Sequence, residues 1–281
     1  MARRAIFTIY VEIKDVDFDL VTEKYHPSDK LGKSKKSQMG FNMYHDDLVN
    51  NKSEYAKMVD ADFFFFQHDQ DFEEFKNKIL SYQSMTIYNV INFYKFDRLD
   101  YLFNNFDYDE VLYLDFDVLV GTKDNFFTEC DLSTIHVPTS PLNDKLIKKM
   151  LNNQGRCGFR APEAKKLNTN LMLNEYSLDH NPYSYNTGIF AMNRDVWRRL
   201  NYFEDFNEIL KLMNDLKHDK SFPPEVQYCL GYDNETVFGF RLTQRNLDFI
   251  DIDETWHFLI RERKKDFKFG HFLHKNFDLV L

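Results

Sequence analysis

The segment from Val111 to Val120, VLYLDFDVLV, constrains the fold and the chemistry of this chain more than any other stretch. A continuous apolar run of this length predicts a strand that is buried on both faces of a sheet. Asp115 and Asp117 interrupt the run, and two unpaired buried carboxylates must shift their pKa values or bind a cation. Because oxygen ligands suit Mg²⁺ or Mn²⁺, the segment predicts a divalent metal site on a central strand.

The Asp-x-Asp spacing alone is a weak indicator, because this chain is rich in aspartate. The pair Asp115/Asp117 has apolar residues on both sides, whereas its rival Asp251/Asp253 runs straight into Glu254. The alternative interpretation of Asp115 and Asp117 is a strand-end pair that caps the following turn. The same spacing recurs in polar surroundings at Asp15/Asp17, Asp17/Asp19, Asp60/Asp62, Asp69/Asp71 and Asp107/Asp109.

Composition limits the classes of function that need to be considered. The formal net charge of −9 over 281 residues argues against nucleic-acid binding and against a polybasic membrane patch. The cysteines Cys130, Cys157 and Cys229 have no metal-ligand or redox spacing, which suggests a reducing compartment. The first apolar run ends at Glu12, too early for a signal peptide, and no segment has the length of a transmembrane helix. The expected location is the cytosol.

Strands alternate with helices through the first half of the chain, where apolar residues recur at helical spacing in residues 42–60 and 84–106. This alternation predicts a mostly parallel, doubly wound sheet, which binds ligands at the carboxyl ends of its strands. The predicted elements of this half are a strand at Ala5–Ile13, a surface loop at Lys24–Ser37, a helix at Asn42–Asp60, a strand at Phe63–Phe66 and a helix at Ser84–Phe106.

The second half is less regular, but no repeat or linker separates it from the first, so we expect residues 1–281 to form a single domain. Residues 141–182 lack a clear period and are predicted to form a loop or lid on the acceptor side. Asp233 or Asn234 is the expected N-cap of a short helix. The other predicted elements are strands at Thr134–Pro138, Thr187–Asn193, Leu247–Ile252 and Phe267–Leu273, and helices at Arg194–Leu216 and Glu235–Leu242.

Five segments follow one another in a recognisable order: NFYKFDRLDYLF, EVLYLDFDVLV, YNTGIFAMNRDVW, YDNETVF and FGHFLHK. Together they resemble the GT-A-fold glycosyltransferases, most closely the retaining glycogenin-like and lipopolysaccharide galactosyltransferase-like family. The second segment is similar to the strand with that family's DxD motif, and the third to its Asn-(Ser/Ala)-Gly strand. The resemblance spans roughly Ala5 to Lys275. It implies an α/β fold of the GT-A (Rossmann-like) type, a mostly parallel central sheet flanked by helices.

The resemblance also implies a metal site and a diphosphate site. Asp117 would bind Mn²⁺ or Mg²⁺, and Asp115 would bind the metal directly or hold ribose and sugar hydroxyls. His271 would add a nitrogen ligand, which Mn²⁺ accepts more readily than Mg²⁺, and His274 is the rival for this role. Lys95 falls at the place of the basic residue that faces the diphosphate, where a compact positive charge suits phosphate oxygens.

The remaining candidates would hold the sugar and the base. Asn186 offers donor and acceptor groups to sugar hydroxyls. Asp233 would hydrogen-bond the transferred sugar or steady an oxocarbenium-like centre, and its alternative role is a helix N-cap. Tyr10 and Thr8, near the end of the first strand, and Phe116, between the two aspartates, are candidates to contact the nucleotide.

These roles imply a metal-dependent glycosyltransferase that uses a nucleotide sugar, a UDP-hexose by resemblance, and an acceptor that is a carbohydrate, glycan or protein. The resemblance further implies that the anomeric configuration is retained. One alternative is a haloacid-dehalogenase-like phosphatase, in which Asp115 attacks phosphorus. Such enzymes carry the motif on their first strand with Gly/Thr-type residues after it, whereas Val118 and Leu119 follow here. The other alternative is a non-catalytic sugar-nucleotide-binding protein.

Overall fold

The structure is a computed structural model that describes residues 2–14, 30–141, 161–227, 230–260, 266–272, 275 and 277–280. The α-helices in these ranges are α1 (Lys30–Met43), α2 (His45–Met58), α3 (Gln70–Tyr82), α4 (Ile87–Asn105), α5 (Phe126–Glu129), α6 (Ala161–Glu175), α7 (Arg194–Leu200), α8 (Phe206–His218), α9 (Pro224–Gln227) and α10 (Asn234–Gln244). The strands are β1 (Arg4–Ile9), β2 (Asp62–Phe66), β3 (Glu110–Leu114), β4 (Val118–Val120), β5 (Ile135–Val137), β6 (Thr139–Pro141), β7 (Tyr183–Tyr185), β8 (Ile189–Asn193), β9 (Phe249–Asp251), β10 (Phe258–Leu259) and β11 (Phe269–His271). Within the described ranges, no helix is long and apolar enough to cross a membrane.

A six-stranded sheet with the order β2-β1-β3-β8-β5-β9 forms the centre of the fold. β1 pairs in parallel with β2 and β3, and β5 pairs in parallel with β9. β8 is antiparallel to both of its neighbours, β3 and β5. All strands of this sheet except β8 therefore run in one direction, which confirms the predicted α/β fold with a mostly parallel central sheet.

Helices pack against both faces of this sheet. Successive side chains of β1 point to opposite faces, so neighbouring residues of β1 show which helix covers each face. Phe7 belongs to a core cluster that includes Phe96 and Leu99 of α4. Its neighbour Ile6 belongs to a second cluster, which includes Tyr55 of α2. Burial on both faces explains why the strands appear in the sequence as continuous apolar runs.

The acidic segment departs from its prediction. The single strand expected from Val111 to Val120 is wrong, because β3 ends at Leu114 and β4 begins at Val118. A turn joins them, in which the amide of Val118 donates to the carbonyl of Asp115 at 3.0 Å. β4 then enters a separate three-stranded sheet of order β10-β11-β4. The apolar run is continuous in the sequence because both strands are buried, but they are buried in different sheets.

The strand order reverses at β1, which places a crevice beside it. The chain passes from β1 to β2 on one side and later returns to β3 on the other. In open α/β sheets, ligands bind at such a switch point, outside the carboxyl ends of the strands. Tyr10 follows β1 and Asp115 follows β3, so both residues stand at this crevice.

Two other predictions need correction. The loop predicted at Lys24–Ser37 overlaps α1, which begins at Lys30; residues 24–29 lie outside the described part of the chain. The helix predicted at Arg194–Leu216 is divided into α7 and α8. Asn201 and Asp205 interrupt it with left-handed backbone conformations, φ 45° and 46°, which a helix cannot continue through.

The irregular segment predicted at 141–182 contains helix α6, and residues 142–160 lie outside the described ranges. This helix escapes prediction because its buried side chains are partly polar. Asn168, Thr169 and Asn170 are each at most 6% exposed, so apolar residues do not mark the inward face. Helix α3 was also not predicted. The other predicted strands and helices are present with shifted ends.

Candidate active site

A cleft of about 360 Å³ opens at the switch point of the six-stranded sheet. Its lining combines charged and amide side chains with apolar ones, as expected for a site that binds a ligand with both polar and flat apolar parts. The polar side chains include Lys95, Asp115, Asp117, Lys165, Asn186, Glu235, His271 and Lys275. The apolar ones include Ile9, Val11, Ile13, Phe41 and Ile91.

Asp115, Asp117 and His271 meet in this cleft, with one ligand atom from each residue all within 4.8 Å of one another. Nε2 of His271 lies 3.4 Å from Oδ2 of Asp117 and 3.9 Å from Oδ2 of Asp115. His271 and Asp117 are buried, and Asp115 is partly exposed. The three residues expected to bind metal are thus brought together, while His274 lies outside the described residues.

The buried carboxylate of Asp117 is held in its charged form by its neighbours. Burial alone would raise its pKa, but Lys275 and His271 hold the pKa of Asp117 well below its ordinary value. Nζ of Lys275 donates a hydrogen bond to Oδ2 of Asp117. Asp117 is therefore ionised, the form that a metal ligand requires.

Gly188 leaves space beside the three ligand atoms. A Cβ atom at this position would lie 2.5 Å from Cε1 of His271 and 2.8 Å from Oδ2 of Asp115, closer than real Cβ contacts. Two carboxylates and one imidazole nitrogen form a donor set that Mn²⁺ accepts. The residues present consequently fit a divalent metal ion.

Lys95 lines the cleft but is bonded within the protein. Its Nζ donates to Oδ1 of Asp115 at 3.2 Å and to the carbonyl of Thr187 at 3.1 Å. The hydroxyl of Tyr113 donates to the same Oδ1 at 2.5 Å. Lys95 therefore positions Asp115, in addition to placing a positive charge at the cleft.

Asn186 lies in the cleft wall next to the acidic turn. Its Oδ1 accepts from the amide of Gly188 at 2.9 Å, and the residue is among those that line the cleft. The carbonyl of Gly188 accepts from the amide of Asp115 at 2.7 Å. This backbone bond ties the Asn-Thr-Gly segment to the acidic turn.

In the acidic segment before α10, Asp233 has its alternative predicted role, the helix N-cap, and not the sugar-binding role. Asp233 is not among the residues that line the cleft; its carboxylate accepts from the amide of Thr236 at 2.8 Å and caps α10. The cleft instead contains Glu235, which the sequence interpretation missed. Oε1 of Glu235 accepts from the amide of Thr187 at 2.8 Å, and Oε2 accepts from Nζ of Lys165. The side chain two residues after the predicted one reaches the site, because the first turn of α10 directs it there.

The nucleotide candidates separate into two groups. Tyr10 and Phe116 line the cleft with stacked rings, 4.6 Å between centroids and 10° between planes, and the Tyr10 hydroxyl donates to Asn42 at 2.5 Å. Thr8 is 0% exposed and does not line the cleft. Its place inside β1, between two paired strands, removes it from nucleotide contact, so this prediction is corrected.

Two lysines near the acidic turn were also missed. Lys275 is the last residue of FGHFLHK, a segment whose resemblance to a metal-binding strand rests on its histidines and does not involve the lysine. Lys52 of α2 is fully buried and donates to the carbonyl of Phe116 at 2.9 Å and to that of Leu48 at 3.2 Å. Nothing in the helical pattern of α2 distinguishes Lys52 from a surface lysine.

No family model and no curated protein matches this sequence. Among solved structures, the chain is similar to a glycosyltransferase involved in the glycosylation of the major capsid of PBCV-1 (13% identity, covering 96% of this chain and 93% of that chain, TM-score 0.44). It is also similar to mouse xyloside xylosyltransferase 1 in its apo form (11% identity, 97% and 98%, TM-score 0.47). A third similar structure is the galactosyltransferase LgtC in complex with donor and acceptor sugar analogs (13% identity, 96% and 87%, TM-score 0.40). All three of these structures are glycosyltransferases, and each has a TM-score below 0.5 with this chain.

Proposed function

We propose that this protein is a metal-dependent glycosyltransferase that moves a hexose from a nucleotide sugar, a UDP-hexose, to a carbohydrate, glycan or protein acceptor. One observation carries the proposal: the ligand atoms of Asp115, Asp117 and His271 lie within 4.8 Å of one another in a cleft at the switch point of the sheet. The UDP moiety and the retention of anomeric configuration are supported by the sequence resemblance.

The leaving diphosphate develops negative charge, and positive charges in the polar part of the cleft would stabilise it. When bound, Mn²⁺ or Mg²⁺ supplies a Lewis acid that neutralises this charge. Lys275 and Lys165 line the same cleft and add two ammonium groups. Their charges act more strongly in a partly buried cleft than they would in water, because the local dielectric is lower.

The other residues orient the donor. Lys95 and Tyr113 hold the Asp115 carboxylate in one direction, so this ligand loses little freedom on binding. Asn186 and Glu235 present an amide and a carboxylate to the sugar hydroxyls. Tyr10 presents its aromatic ring to the base.

The direct test is release of UDP from a panel of UDP-hexoses without acceptor, with Mn²⁺, with Mg²⁺ and with EDTA. We expect slow, metal-dependent hydrolysis of one or a few donors, and the released sugar's anomeric configuration, followed by NMR, reports retention or inversion. An aryl phosphate ester in the same assay tests the phosphatase alternative.

Each alternative has its own outcome. Hydrolysis of the aryl phosphate through Asp115, without cleavage of any nucleotide sugar, would identify a phosphatase. Metal-dependent binding of a UDP-hexose, without turnover in the presence of candidate acceptors, would identify a non-catalytic binding protein.

A further inference from the structure

A second histidine lies directly behind the candidate metal ligand. Nε2 of His257 is 3.1 Å from Nδ1 of His271, a hydrogen-bond distance. His257 immediately precedes β10, and β10 pairs in parallel with β11, where Leu259 stands opposite His271. The amide of Ile260 donates to the carbonyl of His271 at 2.9 Å, so the two segments are fixed to each other by backbone bonds.

The two ring nitrogens of His271 face different partners. Nε2 faces Asp117 and Asp115, at 3.4 and 3.9 Å, and is the nitrogen that would bind a metal. A neutral imidazole that offers the lone pair of one nitrogen to a metal carries its proton on the other. In the ligating form, Nδ1 of His271 must therefore be the protonated nitrogen. Nε2 of His257 is then the atom that accepts a hydrogen bond from this N–H.

We propose that His257 is a positioning residue for the metal site: its Nε2 accepts the Nδ1–H of His271 and thereby fixes the tautomer and ring orientation in which Nε2 of His271 binds the metal. This inference rests on the proposed metal-dependent function. His257 does not touch the substrate or the metal and acts through His271.

Burial makes this partner important. The His271 side chain is 5% exposed, so an Nδ1–H without an acceptor would keep the full cost of its desolvation.

The test compares Mn²⁺ binding by isothermal titration calorimetry in the full-length wild type, His257→Leu and His257→Gln. Leucine removes the acceptor, whereas the glutamine carbonyl oxygen can replace it. We expect His257→Leu to weaken Mn²⁺ binding by about 10- to 100-fold and His257→Gln to recover most of the loss. Electron-spin-echo modulation of bound Mn²⁺ should show a coordinated imidazole nitrogen in the wild type and in His257→Gln, but a weakened one in His257→Leu.

A measurement on the wild type keeps the inference testable if His257→Leu does not fold. In protein saturated with diamagnetic Cd²⁺, long-range ¹H–¹⁵N spectra should show a proton on Nδ1 of His271 and none on Nε2. A proton absent from Nδ1, or equal Mn²⁺ affinity in His257→Leu and the wild type, would overturn the role of His257 and leave the proposed function intact. Wild-type protein that binds neither Mn²⁺ nor Cd²⁺ would overturn both.

Discussion

Nε2 of His271 lies 3.4 Å from Oδ2 of Asp117 because β11 and β4 pair in antiparallel register, with His271 opposite Val118. The small three-stranded sheet thus delivers the histidine to the acidic turn. The large sheet delivers Asp115, at the end of β3. The candidate metal site consequently sits where two sheets meet, and its geometry depends on the turn that connects them.

Replacing Asp117 with asparagine should remove metal-dependent function. The substitution keeps the size of the side chain but removes the negative charge of one ligand, and metal affinity depends on the number of charged ligands. We expect Mn²⁺ affinity to fall by about a hundredfold or more, and UDP release to fall with it. Calorimetry and the hydrolysis assay measure the two effects. Asp107→Asn is the control, since Asp107 belongs to another Asp-x-Asp pair and its side chain is 82% exposed. Turnover by Asp117→Asn that equals the wild type would exclude this metal site.

Replacing Gly188 with alanine should weaken metal binding at the same site, because the added methyl group would displace two of the ligands. In Gly188→Ala the new Cβ would collide with His271 and with Asp115, at 2.5 and 2.8 Å, so both ligands must move. We expect Mn²⁺ affinity to fall at least about tenfold, and the free energy of unfolding to fall by about 1–3 kcal/mol. Gly239→Ala is the matched control, because its Cβ would collide with Tyr185 at 2.9 Å, a residue that does not line the cleft, and so should cost stability without moving the metal ligands. Wild-type Mn²⁺ binding by Gly188→Ala would mean that an ion does not use His271 and Asp115 together.

Local patterns were sufficient to predict the centre of the fold. The apolar surroundings of Asp115 and Asp117 mark a buried position, and the helical spacing in 84–106 marks α4. Both depend on residues that are close in the sequence. His271 was found through its resemblance to a known terminal segment, because no local pattern joins it to the acidic turn.

Other features depend on contacts that local patterns do not encode. The split of Val111–Val120 into two strands requires knowledge that β4 pairs with β11. Glu235 and not the predicted Asp233 lines the cleft because of where α10 begins. Asp233 is the N-cap residue, and its carboxylate turns back to the helix. Lys275 is separated from Asp117 along the chain but adjacent in space, so its role emerges only after folding.

The contrast between Glu235 and Asp233 gives a paired prediction. Glu235→Gln should reduce turnover roughly ten- to a hundred-fold, because a charge-assisted hydrogen bond in the cleft is lost. Asp233→Ala should leave turnover close to the wild type and lower the free energy of unfolding by about 1 kcal/mol, because an N-cap is lost. Steady-state kinetics and urea denaturation separate the two. The opposite result, reduced turnover without a loss of stability in Asp233→Ala, would return Asp233 to the sugar-binding role that the resemblance implied.

Lys95 should contribute to nucleotide binding, both through its charge and through its hydrogen bond to the metal ligand Asp115. In Lys95→Ala we expect UDP affinity in the presence of Mn²⁺ to fall roughly ten- to a hundred-fold, the size of one charge-assisted contact. Lys78→Ala, an exposed lysine of α3, is the control. Calorimetric titration with UDP measures the change. Unchanged UDP affinity would restrict Lys95 to its hydrogen bonds with Asp115 and Thr187.

Lys52 should make the stability of the protein depend on pH. Burial lowers the pKa of its ammonium from 10.5 to about 7, against the opposing effect of Asp117 and Asp115. Between pH 7 and 10.5 the unfolded chain therefore holds a proton that the folded chain has released, and stability rises with pH in this window. The cost of the buried charge is fully present below pH 7.

The expected result is a wild-type free energy of unfolding that increases by about 2 kcal/mol from pH 7 to pH 9 through this lysine. In Lys52→Met this increase should disappear, because methionine fills a similar volume and does not titrate. Urea denaturation at a series of pH values measures the slope, and the difference between variants isolates Lys52 from the tyrosines that titrate at higher pH. Lys57→Met, at an exposed position of the same helix, should keep the wild-type slope. If Lys52→Met also keeps that slope, then Lys52 remains charged inside the protein, and its ammonium holds the Phe116 carbonyl throughout this pH range.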